Sequence, residues 1–111
     1  MTEFTIDRTE HGIGVVRPVG RLTMVSARQL TEAVAGLIDS GTAKIAIDLS
    51  ATEFMDSSGL GALVAALKSA RQAGGDLRLA APNEQVLTIL RLTNLDKVLR
   101  PRDTVEEAYR G

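Results

Sequence analysis

The stretch that decides the fold is KIAIDLSATEFMDSSGLGALVAALKSARQAGG, Lys44 to Gly75. It reads as a buried strand, a short loop and a helix of about four turns. At the junction stand Asp56, Ser57, Ser58, Gly59, Leu60 and Gly61. A glycine inside a helix costs about 0.5–1 kcal/mol relative to alanine. Two of them in one first turn build a poor helix start, unless something must approach that end.

The faces of this helix follow from a step of ~100° per residue. Leu60, Leu63, Val64 and Leu67 fall on one side and predict the buried stripe. Ser58, Ala62, Ala65, Ser69 and Ala73 fall opposite, with Lys68 and Arg71 beside the stripes. An outward face normally carries Lys, Glu and Gln. A small, flat one either reflects the helix propensity of alanine or marks a surface where another protein lies. Gly59 and Gly61 favour the second reading, because they clear access to the serines. The competing reading is tight packing of the helix start against a neighbouring strand.

A helix N-terminus presents free N–H groups and a partial positive charge. Asp56 suffices as its cap, which leaves Ser57 at the tip and unhindered. A phosphate on Ser57 would be tolerated there, because helix N-termini favour anions. It would also bring about −1.5 to −2 charges to a flat, neutral surface. Phosphorylation would then preserve the fold and repel a partner, as a charge-controlled docking switch requires.

Upstream, Phe4 and Ile6 alternate with polar residues and predict a half-exposed strand. Glu10-His11-Gly12 is a turn, and Ile13 to Val19 pairs back as a hairpin strand with Pro18 at an edge or bulge. Val25 to Ser40 reads as a helix with Ser26 and Gln29 as its capping box and Val25 and Leu30 as its staple. Its stripe is Ala27, Leu30, Val34, Leu37 and Ile38, and Gly41 ends it. Ile45, Ile47 and Leu49 form one face of the next strand, and Lys44, Ala46 and Asp48 the other. Downstream, Leu77 and Leu79 lead a short strand that stops at Pro82. A helix opened by Pro82 or Asn83 carries Val86, Leu87 and Leu90 inward and closes at Asn94. Val98 and Leu99 read as a last strand, and Thr104 with Glu107 caps a terminal helix through Tyr109. The order is ββαβαβαβα. It predicts one small α/β domain over residues 1–111, with a mixed, mostly parallel sheet of four to five strands flanked by about four helices.

Composition narrows the function. The chain has 111 residues, 44% of them hydrophobic and only 3% aromatic, so the core is aliphatic. A net charge of −1 without a long basic run gives no electrostatic footprint for nucleic acid. There is no cysteine, which excludes disulfides and thiolate chemistry and favours a cytoplasmic home. No apolar run approaches the ~18 residues of a membrane span, and the polar N-terminus has no signal-peptide core. No metal or cofactor motif stands out, so neither is expected.

FMDSSGLG at residues 54–61, after an apolar strand ending in Asp48-Leu49, resembles the STAS-domain anti-sigma factor antagonists of bacteria. Gly20-Arg21-Leu22, Gly74-Gly75 and Thr93-Asn94-Leu95 extend the resemblance over nearly the whole chain. It implies a non-enzymatic protein that binds an anti-sigma factor with serine kinase activity and so frees a sigma factor. It implies that the kinase phosphorylates the serine directly after the aspartate, here Ser57 with Ser58 next in line, and that a PP2C-type phosphatase reverses this. Asp56 would position the acceptor and contact the partner. Ser58, Gly59, Gly61, Ala62, Ala65, Ser69 and Thr23 are then the expected partner-binding residues, in a monomer or weak homodimer. The family commonly has Asp where Thr23 stands.

Three rivals remain. A hydrolase needs Gly-x-Ser-x-Gly, which is absent, and the only histidine, His11, precedes Ser57, against the serine–acid–histidine order. A nucleotide-binding domain needs Gly-x-Gly-x-x-Gly or Gly-Lys-[Ser/Thr], and neither occurs; that rival persists only through the resemblance. The third is a STAS scaffold in another signalling or transport assembly.

Overall fold

The computed structural model describes residues 3–109. Its elements are β1 (Glu3–Arg8), β2 (Gly14–Leu22), α1 (Met24–Asp39), β3 (Lys44–Asp48), β4 (Thr52–Met55), α2 (Ser57–Gln72), β5 (Asp76–Ala80), α3 (Glu84–Leu92) and α4 (Asp96–Leu99). β1 pairs antiparallel with β2, and β3 pairs in parallel with β2 on one side and β5 on the other. β4 pairs in parallel with the far end of β2, with a register shift between Gly20 and Arg21. The expected class, a mixed and mostly parallel sheet with four helices, is what forms.

The order departs from expectation inside the decisive stretch, upstream at the end of β2, and near the C-terminus. Thr52–Met55, read as loop, is strand β4. β2 runs three residues past Val19, because Gly20 at φ 92° bends the strand without ending it. Val98 and Leu99 sit in helix α4, and the strand-like pairing comes later, as a bridge between Ala80 and Arg102. Thr104 does accept a hydrogen bond from the Glu107 N–H at 3.2 Å, yet residues 105–109 form turns rather than a helix. Six residues are too few to sustain an isolated helix, and this segment is held instead by its contacts with the sheet.

α1 begins one residue before the predicted start. Thr23 is its N-cap, and the Thr23 N–H donates to the Ser26 hydroxyl at 2.8 Å. Ser26 is therefore the third helical residue, its hydroxyl turned back to the cap and to the Arg21 carbonyl. The predicted Ser26–Gln29 box and Val25–Leu30 staple do not form, and Val25 is exposed. The stripe Ala27, Leu30, Val34 and Leu37 is buried as expected.

α1 and α2 pack against each other and against the sheet. Their leucines meet Val16, Ile45, Ile47, Leu77 and Leu79 in one aliphatic core that Val86, Leu90 and Leu99 complete. Ala46 is also fully buried, so β3 is covered on both faces. The last turns do this on the side away from the core helices. The Tyr109 hydroxyl lies 2.8 Å from the carbonyls of Ile45 and Asp76 and accepts the Ile45 N–H at 3.0 Å. Arg78 stacks its guanidinium on the Tyr109 ring at 4.6 Å and donates to the Ala108 carbonyl.

Candidate functional site: the N-terminus of helix α2

β2 and β4 deliver two helix starts side by side. Arg21 pairs with Phe54 and Leu22 with Met55, and the next residues, Thr23 and Asp56, cap α1 and α2. The Arg21 guanidinium also lies over the Phe54 ring at 4.7 Å. The Asp56 N–H reaches the Leu22 carbonyl at 3.4 Å, so the chain enters α2 still tied to β2.

The other edge of β4 is closed by side chains of α3. Gln85 accepts the Met55 N–H at 3.0 Å and donates to the Met55 carbonyl at 3.0 Å. Asn83 donates to the carbonyls of Thr52 and Glu53 while its own oxygen caps α3 through the Val86 N–H. A four-residue strand is thus held on both edges, which fixes the residues ahead of Ser57. Asn83 was legible as a cap; its bonds to β4 and those of Gln85 link residues about thirty positions apart and carry no local signal.

At the junction, the Asp56 carboxylate accepts the Gly59 N–H at 3.0 Å. This is the expected N-cap. Ser57 opens α2, exposed, and Ser58 follows half-buried. Among the described residues neither serine hydroxyl makes a hydrogen bond. Ser57 therefore combines an accessible, unengaged hydroxyl with a helix start whose free N–H groups favour an anion.

The two glycines have different causes. A Cβ on Gly59 would lie 2.4 Å from the Leu22 carbonyl oxygen and 2.8 Å from Met55 Cγ. Gly59 is buried, and its absent side chain is what lets α2 start against β2; its glycine reflects packing, not clearance. Gly61 is exposed, with nothing within 4 Å of an added Cβ, and fits the clearance reading.

The outward face is rotated from the expected one. Gly59, Ala62, Leu63, Ala66, Leu67 and Ala70 are buried, Ala62 with 6% exposure, whereas Leu60 and Val64 are only half-buried. Gly59 and Ala62 therefore offer no surface to a partner. Ser57, Gly61, Ala65 and Ser69, spaced by four, line the exposed face, with Ser58 at its margin. The buried arc is wide because α2 packs on both the sheet and α1, and alanine takes either side without a clear sequence signal. Pattern reading took Val25 as a packed staple residue and assigned Met24 no role. Met24 and Val25 stand 73% and 75% exposed in the first turn of α1, directly after the Thr23 cap.

Among the described residues no group of three or more His, Asp or Glu is arranged to hold a metal. No helix of those residues is long and apolar enough to cross a membrane.

A model of the STAS domain matches residues 6–108, and the chain belongs to that family. A Thermotoga maritima protein described as a candidate anti-sigma factor antagonist is 44% identical over 71 residues, which cover 64% of this chain and 63% of that protein. The chain thus spans less than two thirds of that relative. The anti-sigma-B factor antagonist of Bacillus subtilis (strain 168) is 31% identical over 84 residues, 76% of either chain. The solved structure of a candidate anti-sigma factor antagonist from Thermotoga maritima aligns with a TM-score of 0.85 at 33% identity, over 96% of this chain and 95% of that one. These names describe regulators.

Proposed function

We propose that this chain is an anti-sigma factor antagonist whose docking is switched by phosphorylation of Ser57. The observation that carries this reading is the division of labour at the start of α2. Asp56 satisfies the Gly59 N–H, and Ser57 keeps an exposed hydroxyl with no internal partner. A phosphate added there meets the positive end of a 16-residue helix and does not disturb the core. The names of the relatives support the anti-sigma factor as partner.

In this reading the unmodified protein lays Ser57, Gly61, Ala65 and Ser69 against an anti-sigma factor that is also a serine kinase, and the sigma factor is released. Ser58 and Thr23 border the contact, and Asp56 orients the acceptor. The kinase phosphorylates Ser57, the added charge beside Asp56 opposes docking, and a PP2C-type phosphatase resets the protein. Incubation with the cognate kinase and ATP, followed by peptide mass spectrometry, tests this. A single phosphate on Ser57, lost in Ser57→Ala, is expected. Phosphate absent from both Ser57 and Ser58 defeats the switch.

A further inference from the structure

We infer that the cavity between α3 and residues 96–103 binds a phosphate ester of a small, hydroxyl-bearing molecule, with a sugar phosphate as the model ligand. The cavity holds about 420 Å³, within the range of ~300–1,000 Å³ typical of small-molecule sites. Arg91, Arg100 and Arg102 all line it. They arrive from three places. Arg91 lies one turn after Leu87, another lining residue, on the same face of α3. Arg100 ends α4 in the left-handed conformation at φ 47°, which turns the chain toward Arg102. Arg102 is fixed by β5: its N–H donates to the Leu79 carbonyl at 3.0 Å, and its carbonyl accepts the Ala81 N–H at 2.7 Å.

Among the described residues none of these three guanidinium groups makes a hydrogen bond or ion pair. Elsewhere Arg71 and Arg78 meet Asp76, and Arg17 meets Asp48. Asp96 and Asp103 border the same cavity without forming an ion pair with these arginines, so the lining keeps one positive charge in excess. Like charges converging on one concavity repel each other, and an anion seated between them relieves that repulsion. The guanidinium fork matches phosphate oxygens two at a time. The two carboxylates repel a phosphate but accept hydrogen bonds from hydroxyls, so the lining selects a phosphate carried on a polyol over the free ion. Pro82 and Leu87 supply an apolar wall. The cavity also sits where β5 ends, and the carboxyl ends of strands in an open α/β sheet are where such domains place ligands.

The test is an amide chemical-shift titration of the full chain at low ionic strength with ribose 5-phosphate, ribose and inorganic phosphate as separate probes. Saturable shifts confined to residues 87–103 are expected with ribose 5-phosphate, with Kd below about 1 mM. Ribose and inorganic phosphate are expected to bind at least tenfold more weakly. The Arg91→Gln, Arg102→Gln double variant is expected to lose at least tenfold in affinity, and Arg28→Gln, on α1, to lose none. If the double variant's unliganded spectrum shows it unfolded, Arg91→Gln alone, at an exposed helix position, carries the comparison. Shifts that do not saturate by about 10 mM overturn the assignment. So do shifts unaffected by removing the arginines, or inorganic phosphate binding as tightly as the ester. The readout is independent of Ser57 and of any protein partner.

Discussion

Gly59 and Gly61 stand two positions apart and do opposite things. Gly59→Ala drives a methyl against the Leu22 carbonyl, a backbone atom with no rotamer to yield. Such overpacking costs about 1–3 kcal/mol, to be read as a lower urea midpoint at unchanged slope. Gly61→Ala meets open space and is expected to raise stability by about 0.5–1 kcal/mol through helix propensity. If the exposed face docks flat against a partner, that same variant weakens partner binding while the fold becomes more stable. Gain of stability with unchanged binding would remove Gly61 from the contact. Sequence showed that both glycines were costly but could not tell them apart, because the distinction rests on a carbonyl 37 positions upstream. Ser57 and Asp56 were legible, because capping is local chemistry.

Among the elements, β4 was read as loop and α4 as strand, and β4 is the one that sets the site. Thr52–Met55 is short, and its alternation is spoiled by a half-buried Phe54 under Arg21. Its existence depends on β2 extending past Gly20 and on Gln85 and Asn83 reaching across from α3. Gln85→Ala leaves the Met55 N–H and carbonyl without their partners. Unsatisfied groups of this kind cost about 1–3 kcal/mol. The Met55 amide is expected to exchange faster in this variant, while amides of β3 keep their protection; unchanged exchange at Met55 would show that the Gln85 fork does not hold the strand. The long helices were recovered because their leucines repeat at helical spacing. The exposed face of α2 was misplaced because its alanines point both inward and outward.

The whole molecule is closed at its C-terminus by a polar cluster on the sheet. Burial raises the Tyr109 pKa, and the Asp76 charge adds to this; against the Ile45 hydrogen bond the net result is about 12. A folded-state pKa above the ordinary value of 10 makes a contribution fully present below pH 10 and lost as pH rises toward about 12. Tyr109→Phe is expected to flatten that alkaline loss in urea titrations; a wild-type slope would exclude Tyr109 as its source. For Asp76, burial raises the carboxyl pKa, but the Leu77 N–H, Arg71 and Arg78 outweigh it and hold it below the usual value of 3.8. Its contribution is present above that value and fades as pH falls through the lowered folded-state value. Asp76→Asn is therefore expected to destabilise the protein at neutral pH and to match wild type more closely near pH 2. A gap that stays constant down to acid would mean the charge is not what stabilises. Neither effect could be read from the sequence, because Tyr109 meets Ile45 and Asp76 only after the C-terminal turns fold over the sheet.

The claim at the centre is that one charge on Ser57 changes binding without changing the fold. Calorimetric titration of the anti-sigma factor with unmodified and Ser57-phosphorylated protein measures it most directly, with amide spectra recorded on both forms. A loss of at least about 100-fold in affinity, near 2.7 kcal/mol, is expected, with spectral changes confined to the start of α2 and its neighbours. Equal affinity of the two forms, or a phosphorylated form that has lost its native spectrum, contradicts it.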